Sequence, residues 1–217
     1  MVKIIDSKVK TTSGNYERLF GNKDIAYLIS QIQSASIRYG NQLEKLIEDS
    51  ADKKKSLILD IDSFLQKDIV PQKPYLIPKK AIKQSDTIDF LRSEPDFMIL
   101  DRKKKHCYII ELKLGNNFDT KKASGEKASL KRFESYLAKQ LPYTTSIHVC
   151  FFYANTKEEI IHGFKNVIGI QEALTGKEFC NLLEIDYDFI SYEMNKHQSE
   201  NFNYVVDRIN EIVKNNI

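Results

Sequence analysis

The sequence predicts a mixed α/β fold, with a central mixed β-sheet flanked by helices. Two short apolar runs, Phe97–Leu100 and Cys107–Leu114, are joined by the charged break Arg102–His106 and read as an antiparallel hairpin. Ile147–Tyr153 is almost continuously apolar, the pattern of a strand buried on both faces. Several stretches carry apolar residues at helical spacing and supply the flanking layers.

Taken in order, Asp24–Asp49 reads as a long helix, with Ile25, Leu28, Ile29, Ile32, Ala35 and Ser36 on one stripe and Gly40 inside it. Lys53-Lys54-Lys55 ends that pattern, and Ser56–Asp62 fits either a strand or a helix. Residues 66–94 hold Pro71, Pro74 and Pro78, lead to Pro95, and carry Lys67, Lys73, Lys79, Lys80 and Lys83; they read as an irregular segment. Glu126–Gln140 is a helix with Leu130, Phe133, Tyr136 and Leu137 inward, ended by Pro142. Val167–Ile170 reads as a further short strand. Thr175-Gly176-Lys177-Glu178 fits a capping box that starts a helix carrying Phe179, Leu182 and Leu183. Phe202, Val205, Val206, Ile209, Ile212 and Val213 define a last amphipathic helix, suited to pack on the core or on a second subunit. With 217 residues, the expectation is a single domain whose N-terminal helical part, about 1–55, packs on the sheet-bearing core.

Composition narrows the class. The net charge of +3 does not by itself indicate a nucleic-acid partner. Its distribution is more telling, because Arg102–Arg132 holds ten Lys and Arg against three Asp and Glu. Cys107, Cys150 and Cys180 are odd in number and widely spaced, with no CxxC or zinc pattern, so they read as small buried apolar residues in a reducing compartment. Neither an N-terminal apolar signal segment nor a run of about 20 apolar residues is present, and a soluble cytoplasmic protein is expected.

The chemistry-bearing residues gather at the hairpin. Glu111-Leu112-Lys113 ends the second apolar run, and Pro95-Asp96 precedes the first. Side chains alternate along a strand, so Ile109, Glu111 and Lys113 share one face, with Glu111 and Lys113 about 7 Å apart along the strand at roughly 3.3 Å per residue. Asp96 reaches the same end of the hairpin. Two carboxylates suit a Mg²⁺ ion that keeps waters and phosphate oxygens in its remaining positions. A lysine beside them suits orientation of a water and stabilisation of charge on a phosphate. The residue pattern alone is also compatible with a surface strand showing Glu and Lys to water. Acid-x-Lys triplets occur elsewhere, at Asp52-Lys53-Lys54, Asp101-Arg102-Lys103 and Asp119-Thr120-Lys121, but none of those ends an apolar strand.

Pro95-Asp96, fourteen intervening residues and Glu111-Leu112-Lys113 together resemble the PD-(D/E)xK nuclease superfamily, home of most type II restriction endonucleases. Ser36-Ile37-Arg38-Tyr39-Gly40-Asn41-Gln42-Leu43-Glu44 resembles the R-x-G-x-x-x-E helix of many restriction enzymes. Leu114–Ala123 is similar to the loop that follows the catalytic strand, and Leu174–Phe179 to a C-terminal helix of such enzymes. The resemblance spans roughly 35–185. It implies a restriction-endonuclease-like core, with Asp96, Glu111 and the Leu112 carbonyl as Mg²⁺ ligands, Lys113 orienting the water, and Glu44 as a further carboxylate at the site. It implies a sequence-specific endonuclease on double-stranded DNA, acting as a homodimer, with Lys121 and Lys122 as candidate phosphate contacts and a companion DNA methyltransferase acting on the same site. In that setting the Lys-rich 66–94 segment reads as either a DNA-contacting arm or an ordinary connection. A structure-specific or repair nuclease of the same fold, and a catalytically silent DNA-binding module, are the alternatives.

Overall fold

The computed structural model describes residues 2–9, 14–67, 70–88, 94–115 and 117–215. Asn116, and residues 68, 69 and 89–93 of the expected irregular segment, lie outside the described residues. The chain divides into two compact units, one of residues 1–46 with 188–217 and one of residues 47–187.

The larger unit holds a five-stranded sheet in the order β1-β2-β3-β4-β5. β1 is Pro74–Pro78, β2 Phe97–Asp101, β3 His106–Lys113, β4 Thr144–Phe151 and β5 Ala173–Thr175. The expected hairpin is β2 and β3, paired antiparallel from Phe97 opposite Ile110 to Asp101 opposite His106. β3 and β4 run parallel, and the 18-residue helix Thr120–Leu137 supplies the long crossover that parallel pairing needs. β4 and β5 are also parallel. The sheet is therefore mixed, antiparallel on one side of β3 and parallel on the other. The expected buried strand is β4, with Ile147 to Phe151 all inside.

One sheet face carries Tyr75, Ile77, Met98, Leu100, Ile109, Ile147, Val149 and Phe151, packed with Leu130, Phe133 and Leu137 of the crossover helix and Ile160 of the helix Lys157–Gly163. The opposite face carries Phe97, whose ring lies 6.0 Å from that of Phe179 on the helix Gly176–Leu182. That helix starts with the expected capping box between Thr175 and Glu178. Gly176 is required there: a Cβ would lie 2.0 Å from the Phe152 carbonyl oxygen. All three cysteines are buried and free.

Three expectations are corrected. The segment 66–94 is not irregular throughout: it contains β1 and a short helix, Lys79–Gln84. Pro74 and Pro78 disguise β1, yet proline is tolerated at the ends of a strand at the sheet margin, where few ladder donors are needed. Val167–Ile170 is not a strand. It lies in a turn entered through Lys165 and Asn166, both at positive φ, and closed by a bond from the Glu172 N–H to the Gly169 carbonyl; the strand comes after it, at Ala173. The crossover helix begins at Thr120 rather than Glu126, because the Asp119 side chain caps it by accepting the Lys122 N–H. The ambiguous stretch 56–62 resolves into a single bridge, Leu57 to Leu76, and the start of a short helix, Ile61–Leu65, capped by Asp60.

The smaller unit contains Gly14–Phe20, most of the long helix Lys23–Lys53, and the helices Tyr187–Asn195 (in all but its first residue) and Gln198–Asn215. Polar contacts join its N- and C-terminal parts: the Ile4 N–H donates to Asn201 at 2.8 Å, the Tyr39 hydroxyl lies 3.1 Å from Asn195, and the Tyr204 hydroxyl donates to Gln31 at 2.9 Å. The last helix leaves Phe202, Val206, Ile209 and Val213 exposed, spaced four, three and four apart. Among the described residues, no helix is long and apolar enough to cross a membrane.

Candidate active site

Strand register brings the charged residues together. β1 sets Pro78 opposite Phe97, and β2 sets Phe97 opposite Ile110. Lys79 and Asp96 each lie one residue beyond the paired residues Pro78 and Phe97, and Glu111 follows Ile110. The Lys79 N–H donates to the Asp96 carbonyl at 3.0 Å and carries the ladder across that step. Lys113 lies two residues along β3 from Glu111 and therefore on the same face.

The contacts follow from this layout. Lys113 Nζ is 2.5 Å from Glu111 Oε1 and 3.4 Å from Glu126 Oε1. Asp96 Oδ2 accepts the Leu112 N–H at 3.0 Å, and Asp96 Oδ1 lies 3.3 Å from Lys79 Nζ. The group is largely inside, with the side chains of Glu111, Asp96 and Lys113 exposed by 10%, 13% and 18%. Burial pushes the Glu111 carboxyl up to about 7, and the Asp96 charge pushes the same way, against the pull of Lys113. The Lys113 ammonium is lowered by burial, but the Glu111, Glu126 and Asp96 carboxylates outweigh that and raise it. A surface strand showing its polar side to water would not hold carboxylates this dry and this close.

Asp96, Glu111 and Lys113, singled out from sequence, thus stand together. Leu112 joins them through its N–H. Lys122 is exposed in the first turn of the crossover helix, with its ammonium 5.3 Å from the centre of the Phe118 ring; Lys113 lies 5.9 Å from the same ring. Lys121 is exposed beside it. Glu44 is half-buried on the helix Lys23–Lys53, in the smaller unit.

Type II restriction enzyme HhaII of Haemophilus parahaemolyticus is 35% identical to this chain over 204 residues, which is 91% of this chain and 88% of the relative. The chain belongs to the type II restriction enzyme family. No protein-family profile and no solved structure matches it.

In this restriction enzyme, sequence reasoning missed two members of the cluster. Glu126 occupies a place on the buried stripe of the crossover helix, three residues after Ala123 and four before Leu130, and touches Lys113 from above the sheet. A carboxylate in an otherwise apolar stripe was the available signal. Lys79 was visible only as one lysine among five in a proline-rich stretch; its place depends on the β1–β2 register. The other lysines of that stretch with described contacts are held elsewhere: Lys80 by Glu48 at 2.7 Å, Lys83 by Glu94 at 3.7 Å and Lys73 by the Lys54 carbonyl at 2.7 Å.

A cleft of about 730 Å³ opens beside the end of β3, lined by Leu114, Asn117, Tyr153, Asn155, His162 and Lys165. Asn117 accepts from Lys165 at 2.6 Å within it.

Proposed function

We propose that this restriction enzyme hydrolyses phosphodiester bonds of double-stranded DNA at a specific sequence, with Mg²⁺, through a PD-(D/E)xK site made of Asp96, Glu111 and Lys113. The reading is carried by three buried side chains at one end of the hairpin: Asp96 accepts the Leu112 N–H at 3.0 Å, and Lys113 bonds Glu111 at 2.5 Å. The donor set fits the ion. Among the described residues, no group of three or more His, Cys, Asp or Glu side chains forms a metal cage. Two hard carboxylates are what Mg²⁺ takes from a protein when it keeps waters and phosphate oxygens as its other ligands. Asp96 and Glu111 would hold it, with the Leu112 carbonyl. When bound, the cation polarises the phosphate and lowers the pKa of water.

The chain's own residues supply the rest. Lys113 donates to the attacking water and offsets the charge that grows on the phosphate oxygens. Glu126 contacts the Lys113 ammonium as a second carboxylate partner and would keep it oriented with a cation held by Glu111. The Leu112 N–H fixes Asp96 by binding one carboxylate oxygen. By the R-x-G-x-x-x-E resemblance, Glu44 adds a further carboxylate. Lys121 and Lys122 contact phosphates, a role the nearness of Lys122 to Phe118 supports. Two strands related by a dyad ask for two copies of the chain, and the exposed stripe Phe202, Val206, Ile209 and Val213 gives a homodimer an apolar surface to bury. The enzyme works in the cytoplasm, where a companion methyltransferase protects the same site on host DNA.

Digestion of phage DNA tests this reading. Discrete fragments are expected with Mg²⁺ and none with EDTA. A featureless smear, or the same fragments in EDTA, would contradict it.

A further inference from the structure

We propose that Lys79 is a second phosphate-binding lysine of this site, exchanging the Asp96 carboxylate for a non-bridging oxygen of the scissile phosphodiester. This rests on the reading of Asp96 and Glu111 as the metal-holding carboxylates, and adds a residue that neither the motif nor the family likeness assigns.

Lys79 and Asp96 lie one residue beyond the last register row, Pro78, Phe97 and Ile110, and Glu111 follows Ile110 in β3; the bond from the Lys79 N–H to the Asp96 carbonyl ties Lys79 to Asp96 there. Lys79 and Lys113 therefore bracket the carboxylates from opposite sides. The two lysines differ in how they are held. Lys113 is gripped by Glu111 and Glu126 and is 18% exposed. Lys79 pairs with Asp96 alone among the described residues, at 3.3 Å, and is 38% exposed. A charge-assisted bond of full strength measures about 2.8 Å. The Lys79 pair is long, and the Lys79 side chain is the more exposed of the two lysines.

Asp96 Oδ2 is occupied by the Leu112 N–H, so Lys79 rests on the carboxylate's other oxygen, Oδ1. A cation drawn to Asp96 competes with the ammonium for that oxygen and repels it. The ammonium released there stands one side chain from the reacting phosphate. Lys80 and Lys83, on the same short helix, pair with Glu48 and Glu94, neither of which belongs to the cluster of Asp96 and Glu111.

The test compares the wild-type enzyme with Lys79→Gln and Lys79→Arg, with Glu111→Gln as the inactive reference and a melting curve for each protein. The probes are Ca²⁺ alone by calorimetry and a duplex that the wild-type enzyme cuts. Lys79→Gln should bind Ca²⁺ at least as tightly as wild type, because a competing charge is gone. Its DNA affinity in Ca²⁺ should show a log–log salt slope shallower by about one, and its single-turnover rate in Mg²⁺ should fall roughly a hundredfold. Lys79→Arg should restore the slope. A wild-type slope and rate in Lys79→Gln would overturn the proposal. So would weaker Ca²⁺ binding together with a lowered melting temperature, which would make Lys79 a structural counter-ion of Asp96. If instead wild type fails to cut, or Glu111→Gln cuts as fast as wild type, the metal-site reading has failed, and this proposal falls with it.

Discussion

The two ends of the β2–β3 hairpin solve the same problem in opposite ways. Each is a polar cluster set into an apolar sheet. Starting from the turn end, His106 Nδ1 meets the Thr144 hydroxyl at 2.7 Å, His106 Nε2 meets the Ser146 hydroxyl at 2.7 Å, and Ser146 meets His148 Nε2, opposite Ile110, at 2.8 Å. Burial lowers His106 and holds His148 down at about 4, so both rings stay neutral near pH 7. At the other end, Lys79 pairs with Asp96, and Lys113 with Glu111 and Glu126, while burial and the neighbouring Asp96 push the Glu111 carboxyl up. The first cluster minimises charge, as a structural network does. The second crowds carboxyl groups into a buried place, an arrangement that costs stability unless a ligand uses it.

The largest effect that would break this contrast is on catalysis. Asp96→Ala and Glu111→Ala should each slow single-turnover cleavage with Mg²⁺ on the order of a thousandfold or more, with DNA binding in Ca²⁺ largely kept. Wild-type rates in either variant would remove the distinction between the two ends. Lys113→Ala should cost roughly a hundredfold in the same assay while leaving cation affinity near wild type; lost cation affinity with normal chemistry would assign it a different role.

The turn end should respond in stability and not in cleavage. His148 titrates at about 4 in the fold against an ordinary value of 6.5. Protonation therefore favours the unfolded chain. The stability His148 contributes is complete above pH 6.5 and is lost as pH falls from there to 4, a total of about 3 kcal/mol. Denaturant melts across that window should show the loss in wild type and a flatter profile in His148→Gln; identical profiles would contradict a neutral buried ring. Ser146→Ala removes the hydroxyl shared by both histidines and should cost about 1–2 kcal/mol with cleavage rates unchanged. A drop in cleavage as large as that of Lys113→Ala would mean that the two ends are coupled.

The same contrast shows what was readable in the residues. The hairpin was legible because its two apolar runs are close in sequence and their charged break is local. Asp96, Glu111 and Lys113 followed from alternation along one strand and from a known motif. Lys79 and Glu126 did not, because each reaches the cluster through a tertiary relation. Lys79 depends on a strand of five residues that begins and ends in proline and pairs across an 18-residue gap. Glu126 depends on how the crossover helix rotates against β3, and reading that helix from Glu126 put the residue at its start instead of on its buried stripe. The strand β5 was misplaced by six residues because Val167 and Ile168 are as apolar as a strand; Ile168 is buried, in a turn that two left-handed residues shape. Composition reports burial, and only backbone geometry distinguishes a buried turn from a buried strand.

Cation binding without DNA tests the central claim most directly, because it needs neither the recognition sequence nor turnover. Calorimetric titration of Mn²⁺ into the wild-type chain should reveal binding that disappears in Asp96→Asn and in Glu111→Gln and survives in His148→Gln. Undiminished binding in the Asp96 and Glu111 variants would contradict the assignment of these carboxylates to a metal.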